Sequence, residues 1–362
     1  MKIAIVLPRG FQFCEFSPNS IETVVRSLNT PDISPHDVYV LCEAGARQRG
    51  PIKVIEIAQG SNRKSYHQQM LAALKALKPD FIEFHQHTVS MSKLARDMAH
   101  TPNALYRHNY VRPPKHLLDH WRIQWRNRHF KGFIFVSQAT KNAFIEHYPQ
   151  YRPKSFTVSN PIDATLWPGD VDRKTNTIVF CGRAAPEKGL APLCEALAQT
   201  LPEYPQWSAR LILGKFATHA QWTEAQISKL NHQAHIFKDL PLTEVKAQMS
   251  DAAIAVVPSL WEEPFGLTAL EAMAAGCAVI SSGRGGLIEA SLEHALYLDK
   301  VSADEISEAL KKLMDNTEMR KDMASSGQTM VQMRQTMALR ADDLEFARQN
   351  ILTTALNNGS RQ

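Results

Sequence analysis

Cysteine is sparse in this chain. Cys14, Cys42, Cys181, Cys194 and Cys277 are odd in number, form no C-x-x-C pair and show no metal-ligand spacing. This excludes a disulfide scaffold or a zinc ribbon and fits a reduced, cytoplasmic compartment. Long apolar runs are also missing. One of the longest, residues 252–257, falls far short of the ~20 residues that cross a bilayer. The opening Ile3-Ala4-Ile5-Val6-Leu7 is too short for a signal-peptide core and is followed by no cleavage site, so it reads as a buried strand. No repeat and no low-complexity tract occurs. The 16 Gly and 20 Pro are scattered, which excludes collagen-like and disordered chains.

What is present is an ordinary folded composition in 362 residues, 44% apolar and 21% charged. At ~100–200 residues per domain the length suggests two domains. The net charge of +5 hides a division. Residues 1–165 carry 22 Lys and Arg against 12 Asp and Glu, a net of +10, whereas residues 166–362 carry 19 against 24, a net of −5. One half is therefore suited to an anionic partner and the other is not.

Short β-branched runs alternate with longer helical patterns. Strands are expected at 2–7, 38–41, 53–57, 81–84, 133–136 and 155–158. A second series follows at 177–181, 210–213, 235–238, 253–257, 278–281 and 295–298. Helices are expected at 20–28, 65–77, 90–99, 114–129, 138–147, 189–199, 222–232, 243–250, 267–275 and 303–314, the last opened by a capping box of Ser302 and Glu305. The tail from about 334 to 356 reads as one more helix. The alternation implies two α/β domains, each a doubly wound parallel sheet covered on both faces. The expected division is 1–165 and 166–339, with the C-terminal helix, about 340–362, packing back on the first domain. The stretch 161–176 is the linker.

Two segments of the second half carry chemistry. Strand 177–181 runs into Gly182 and Arg183, then a turn, Lys188 and a helix start at Gly189. Ligands of open parallel sheets bind beyond the strand carboxyl ends. There Gly182 permits a sharp turn, the Arg183 fork grips phosphate oxygens and Lys188 adds a mobile charge, a set suited to a diphosphate. Solvated charges on a strand-to-helix turn are the plainer alternative. The second segment leads from a buried strand through Pro258-Ser259-Leu260-Trp261-Glu262-Glu263-Pro264 into a helix opening near Phe265, Gly266 and Leu267. A helix opening offers free N–H groups to an anion. Glu263 precedes it, and Glu271 follows two turns inside an Ala-rich helix. A carboxylate accepts two hydroxyl donors at once, and vicinal hydroxyls are what a ribose or hexose presents.

These segments, together with the following Gly285-Gly286-Leu287-Ile288-Glu289, resemble the retaining glycosyltransferases of family 4, which have the two-domain B-type fold. The likeness covers essentially the whole second half and includes the lipopolysaccharide-core enzymes. It implies two Rossmann-like domains facing a donor cleft. It also implies transfer of a hexose-type sugar from a UDP- or GDP-linked donor to a saccharide or lipid-linked acceptor at the inner membrane face, without a metal or other cofactor. On that resemblance Arg183 and Lys188 hold the diphosphate and stabilise the leaving group, and Glu263 contacts the donor sugar. Backbone amides at Phe265, Gly266 and Leu267 hold phosphate and sugar, and Glu271 takes the ribose hydroxyls. The base lies near strand 235–238 and Leu240, where Asp239 stands in place of a common glycine. Asp170-Val171-Asp172 matches the metal motif of a different glycosyltransferase fold but sits in the linker. An epimerase of the same fold is a rival reading, although such chains use another pattern of acidic and histidine residues. A non-enzymatic nucleotide- or nucleic-acid-binding module is the other rival.

In the first half, the resemblance matches the loop 16–23 to the family's paired glycines, with Asn19 and Ser20 in their place. Ser20 is a candidate donor contact or, alternatively, the cap of a helix beginning at Ile21. His108 in Arg107-His108-Asn109 resembles the family's strand-end histidine and is favoured over His85 and His87. Residues 105–131 carry Arg107, Arg112, Lys115, Arg122, Arg126, Arg128 and Lys131 against Asp119 alone, interleaved with Trp121 and Trp125 four apart. A basic helix with exposed aromatics suits an anionic membrane surface or an anionic acceptor. Aromatics turned into the core would leave only a solvated basic face. Nucleic-acid binding fits the composition but has no fold motif behind it.

Overall fold

The computed structural model describes residues 1–14, 19–47, 50–58 and 62–359. The chain divides into two compact units: Met1–Pro161 with Met337–Gln362, and Ile162–Thr336.

Unit 1 holds seven strands, β1 (Lys2–Val6), β2 (Asp37–Glu43), β3 (Lys53–Ile57), β4 (Phe81–His85), β5 (Asn103–Arg107), β6 (Gly132–Phe135) and β7 (Ser155–Thr157). They form one parallel sheet in the order β3-β2-β1-β4-β5-β6-β7. Its helices are α1 (Ser20–Asn29), α2 (Arg63–Leu77), α3 (Thr88–Asp97), α4 (Leu117–Asn127) and α5 (Gln138–His147). Unit 2 holds β8 (Thr175–Arg183), β9 (Ser208–Gly214), β10 (Ala234–Lys238), β11 (Ala252–Val257), β12 (Ala278–Ser281) and β13 (Ala295–Tyr297). These are parallel in the order β10-β9-β8-β11-β12-β13. The unit's helices are α6 (Leu190–Thr200), α7 (Ala220–Ile227), α8 (Leu242–Asp251), α9 (Leu267–Ala274), α10 (Leu287–Ser291), α11 (Ala303–Asp315) and α12 (Thr317–Arg334); α13 (Met337–Gly359) belongs to unit 1.

Two doubly wound parallel sheets are thus the architecture the alternation implied. Strands such as β11, every residue of which is buried, read as unbroken apolar runs because helices cover both faces. In each sheet the strand order reverses once, between β1 and β4 and between β8 and β11. Such reversals open a crevice beyond the strand carboxyl ends.

Several local expectations are corrected. β5 raises the strand number among the described residues from twelve to thirteen. The strand series leaves out Asn103–Arg107, where two polar residues bracket only three apolar ones, although the strand-end position of His108 implies it. The basic helix begins at Leu117 rather than 114, where the His116 ring accepts the Asp119 N–H at 3.2 Å. Ser20 is not a cap: Asn19 caps α1, its Oδ1 accepting from Ile21 and Glu22 N–H at 3.0 and 3.1 Å, while Ser20 is exposed in the first turn. Asn holds this role as well as Ser does. Residues 16–18 of the matched loop lie outside the described residues. Only half of the capping box at Ser302 forms, because the Glu305 carboxylate takes the Lys300 N–H at 2.7 Å instead. Residues 317–334 form their own helix, and the tail helix starts at Met337.

Helix α13 is fastened within unit 1 by a buried arginine. Arg348 Nε donates to Glu83 Oε1 on β4 at 2.6 Å, and its Nη2 donates to Asn29 Oδ1 at 2.7 Å. Burial opposes ionisation of Glu83, but Arg348 and His85 together hold its pKa at about 2.

Candidate functional site

In unit 2 the chemistry gathers where the sheet order reverses. β8 ends in Gly182 and Arg183, and β11 delivers the chain into Pro258 and Ser259. Between them runs a single 3-10 turn, Pro186–Lys188, closed by Gly189 at φ +74°. A Cβ on Gly189 would stand 1.8 Å from the Pro258 carbonyl oxygen, so only glycine lets the two loops approach. The Leu260 N–H then donates to the Glu187 carbonyl at 2.9 Å.

This approach sets Lys188 against Glu263. Lys188 Nζ and Ser259 Oγ both donate to Glu263 Oε1, each at 2.5 Å, and the Lys188 ammonium lies 5.2 Å from the Trp261 ring. Glu263 is 8% exposed. The glycine segment after β12 cradles its backbone: Gly286 N–H donates to the Glu263 carbonyl at 2.7 Å, and a Cβ on Gly286 would meet the Pro264 oxygen at 2.5 Å. Arg183 stands further out, its Nη2 3.0 Å from Glu187 Oε1. The sequence motif contained Glu187 without assigning it a partner.

The next turn opens α9. Phe265 is buried, Gly266 sits at φ +119° against Leu287, and no side chain caps the helix, leaving its N-terminal N–H groups for an anion. Glu271 lies one turn further along. No hydrogen bond or ion pair to its carboxylate occurs among the described residues. Desolvation pushes its pKa up to about 7, with Lys246 opposing weakly. On the far side of β8, Leu240 is half-buried after Asp239. Asp239 occupies the left-handed region at φ +50° and accepts the Lys215 N–H at 2.6 Å. Asp is among the few residues that adopt this conformation, so it substitutes locally for the expected glycine.

In unit 1, His108 follows β5 and is buried. Its Nε2 lies 2.8 Å from His85 Nδ1, its ring stacks on Tyr106, and its N–H donates to Gln86 Oε1 at 2.9 Å. Burial, then the charges of His85 and Arg107, hold its pKa well below the usual histidine range. His85 Nε2 is 3.6 Å from Glu83 Oε2. The two histidines are therefore one unit rather than competing candidates. His87 stands apart as the residue preceding α3.

Along α4, Leu117, Leu118, Trp121 and Trp125 are all exposed. The aromatic pair is on the surface and not in the core. Arg112, Lys115, Arg122 and Arg128 are exposed around it, Arg128 lies over the Trp125 ring at 4.9 Å, and Arg126 is half-buried. Among the described residues no helix is long and apolar enough to cross a membrane. Asp170 and Asp172 have structural partners: Asp170 accepts the Asp172 N–H and Asp172 pairs with Lys321 at 2.7 Å.

These two sheets, each with polar groups at its reversal point, define the two-domain B-type glycosyltransferase fold. The same architecture is found in Anabaena HepE solved in complex with UDP, with a TM-score of 0.76 at 18% identity over 96% of this chain and 99% of that one. Sucrose-phosphate synthase from Thermosynechococcus elongatus gives 0.79 at 16% identity over 97% and 99%. Residues 163–330 match the family described as glycosyl transferases group 1, and residues 21–166 match Glycosyltransferase Family 4. The two matches lie end to end along the chain and, with the shared fold, support a group 1 glycosyltransferase. Curated relatives include glycogen synthase of Mycobacterium tuberculosis, 29% identical over 48% of this chain and 42% of that protein. The D-inositol 3-phosphate glycosyltransferase of Corynebacterium aurimucosum is 27% identical over 53% and 50%. The matches span about half the length of these relatives.

Proposed function

We propose that the chain transfers a hexose-type sugar from a nucleotide-diphosphate donor to a saccharide or lipid-linked acceptor of the cell envelope, with retention and without a metal, and that unit 2 holds the donor. The carrying observation is the Glu271 carboxylate, desolvated and without a protein partner, behind the uncapped start of α9. In that place it takes the two ribose hydroxyls. The α9 N-terminus, Arg183 and Lys188 neutralise the diphosphate as it departs. Glu263, held by Lys188 and Ser259, presents its other oxygen to the donor sugar. Leu240 and the loop after β10 flank the base. His108, kept neutral, hydrogen-bonds a sugar hydroxyl, Ser20 is a further donor contact, and the departing phosphate deprotonates the acceptor hydroxyl on the same face.

The exposed apolar side of α4, flanked by Lys115, Arg122 and Arg128, supports a second part of the reading: unit 1 rests on an anionic membrane surface at the cytoplasmic face.

A thermal-shift panel of UDP- and GDP-sugars tests the first part, followed by slow release of free nucleotide from the stabilising donor. Release abolished in Glu271→Ala and in Arg183→Ala supports transfer. Absence of donor binding, with tight RNA binding and a steep salt dependence, sinks it. Flotation with anionic vesicles tests the second part: Trp121→Ser with Trp125→Ser removes association if α4 is the contact, and unchanged flotation refutes it.

A further inference from the structure

Unit 1 contains an open cavity of about 1570 Å³ bounded by the end of β1, by α2, α3 and α4, and by Arg107 at the end of β5. It exceeds the ~300–1,000 Å³ usual for small-ligand sites, leaving room for a saccharide. Its charge is one-sided. Among the described residues, eight Arg and Lys line it against two acids, Glu43 and Asp97. Asp97 is already paired with Arg96, whose Nε lies at 2.9 Å, and hydrogen-bonds His67 Nε2 at 2.8 Å. Lys93 on α3 and Arg112 are exposed and have no ion pair among the described residues.

Arg107 is the informative member. It is only 9% exposed, yet every oxygen it reaches is neutral. Its Nη1 donates to the Gln86 carbonyl and to Thr88 Oγ1 at 3.3 Å, its Nη2 donates to the Tyr110 carbonyl at 3.2 Å, and its Nε has no partner among the described residues. A guanidinium stays charged at neutral pH even when desolvated. A buried charge with no counter-ion is strongly unfavourable, so a cavity built around one is completed by an anion from outside.

We propose that this cavity binds the acceptor by a phosphate group, with Arg107 as the deep contact and Lys93 and Arg112 at the rim. The inference rests on the glycosyl-transfer reading for the word acceptor, but the anion site stands on unit 1 alone. A free sugar phosphate and a lipid-linked saccharide phosphate share the recognised chemistry.

The test is calorimetric titration of the full chain at fixed ionic strength with glucose 6-phosphate and with glucose. In a second arm a polyprenyl-phosphate-linked saccharide is supplied in detergent micelles. The phosphorylated sugar is expected to bind at least tenfold more tightly than glucose. Lys93→Glu, on the surface, is expected to weaken it at least fivefold with UDP- or GDP-sugar binding unchanged, and Arg107→Gln at least tenfold. If Arg107→Gln fails to fold, Lys93→Glu with Arg112→Glu decides. Saturation by the soluble ester identifies a free sugar phosphate as the source, and binding confined to the micellar arm identifies the lipid-linked one. Measurable but equal affinity for glucose and its phosphate, binding in neither arm, or phosphate affinity untouched by the unit 1 variants, overturns the proposal. Anion binding at this cavity in a chain that binds no nucleotide sugar would sink the transfer reading and leave the anion site standing.

Discussion

His85 Nδ1 lies 2.8 Å from His108 Nε2, so one ring must donate the proton that the other accepts. Behind them Glu83 faces His85 Nε2 at 3.6 Å and is itself fixed by Arg348. At that distance Glu83 acts on His85 as a nearby charge rather than through a hydrogen bond, and the hydrogen bond of the pair is the one between the two rings.

His85 is accordingly a positioning residue. His85→Ala is expected to lower kcat about 10-fold or more, the scale seen for lost supporting hydrogen bonds, with donor KM little changed. Burial, then His85 and Arg107, hold the His108 pKa well below the usual histidine range, so the wild-type rate should show no inflection from His108 near pH 6–7. Removing His85 takes away one of the charges that depress His108 and moves its ionisation upward. A purely structural His85 would leave the shape of the pH profile unchanged.

Lys188→Ala is expected to cost more than about 10-fold in turnover, roughly 1.4 kcal/mol or more of transition-state stabilisation. The substitution also strips Glu263 of its ion-pair partner, which leaves Ser259 as the remaining donor. A near wild-type rate in a donor-turnover assay would end the leaving-group role.

Glu271 gives a pH prediction with a definite sign. Its folded pKa, about 7, lies above the ordinary value of 4.5, so the native chain holds a proton that the unfolded chain has lost. Stability of unit 2 therefore falls as pH rises from about 4.5 through 7. Nucleotide affinity moves the other way, because the ionised carboxylate is the better acceptor of ribose hydroxyls. Titrating UDP at pH 6 and pH 8 should show tighter binding at pH 8. Glu271→Gln, which keeps the phosphate's own ionisation, should lose the difference attributable to the carboxylate.

Arg348→Ala should destabilise the chain by about 3–5 kcal/mol, since it leaves Glu83 charged, buried and unpaired. Arg348→Ala with Glu83→Gln should recover much of that loss. The Arg348–Glu83 contribution is present above the unfolded carboxylate pKa and is lost as pH falls towards 2. Denaturant midpoints of the two variants measure it.

Gly189→Ala tests the junction of the two donor loops. Positive φ costs about 1–2 kcal/mol for a residue with a Cβ, and the overlap with the Pro258 oxygen adds to it. The variant should lose at least about 2 kcal/mol of stability together with most nucleotide binding; a melting temperature equal to wild type would show that the loops separate freely.

The sequence by itself determined the two sheets, because a parallel strand covered on both faces is written as a short unbroken apolar run between amphipathic helices. It also determined which residue types stand at the strand ends of unit 2, since Gly182, Arg183, Lys188, Glu263 and Glu271 sit at local spacings within motifs. The helix 317–334 escaped because its apolar periodicity is faint. The tertiary structure alone decided the pairings. Lys188 and Glu263 are 75 positions apart, His85 and His108 are 23, and Glu83 and Arg348 are 265. Such contacts depend on strand order and register, which periodicity does not encode. The charge excess of the first half was legible as a number. That it surrounds a cavity with a buried arginine lacking a counter-ion follows only from where β5, α3 and α4 bring those side chains together.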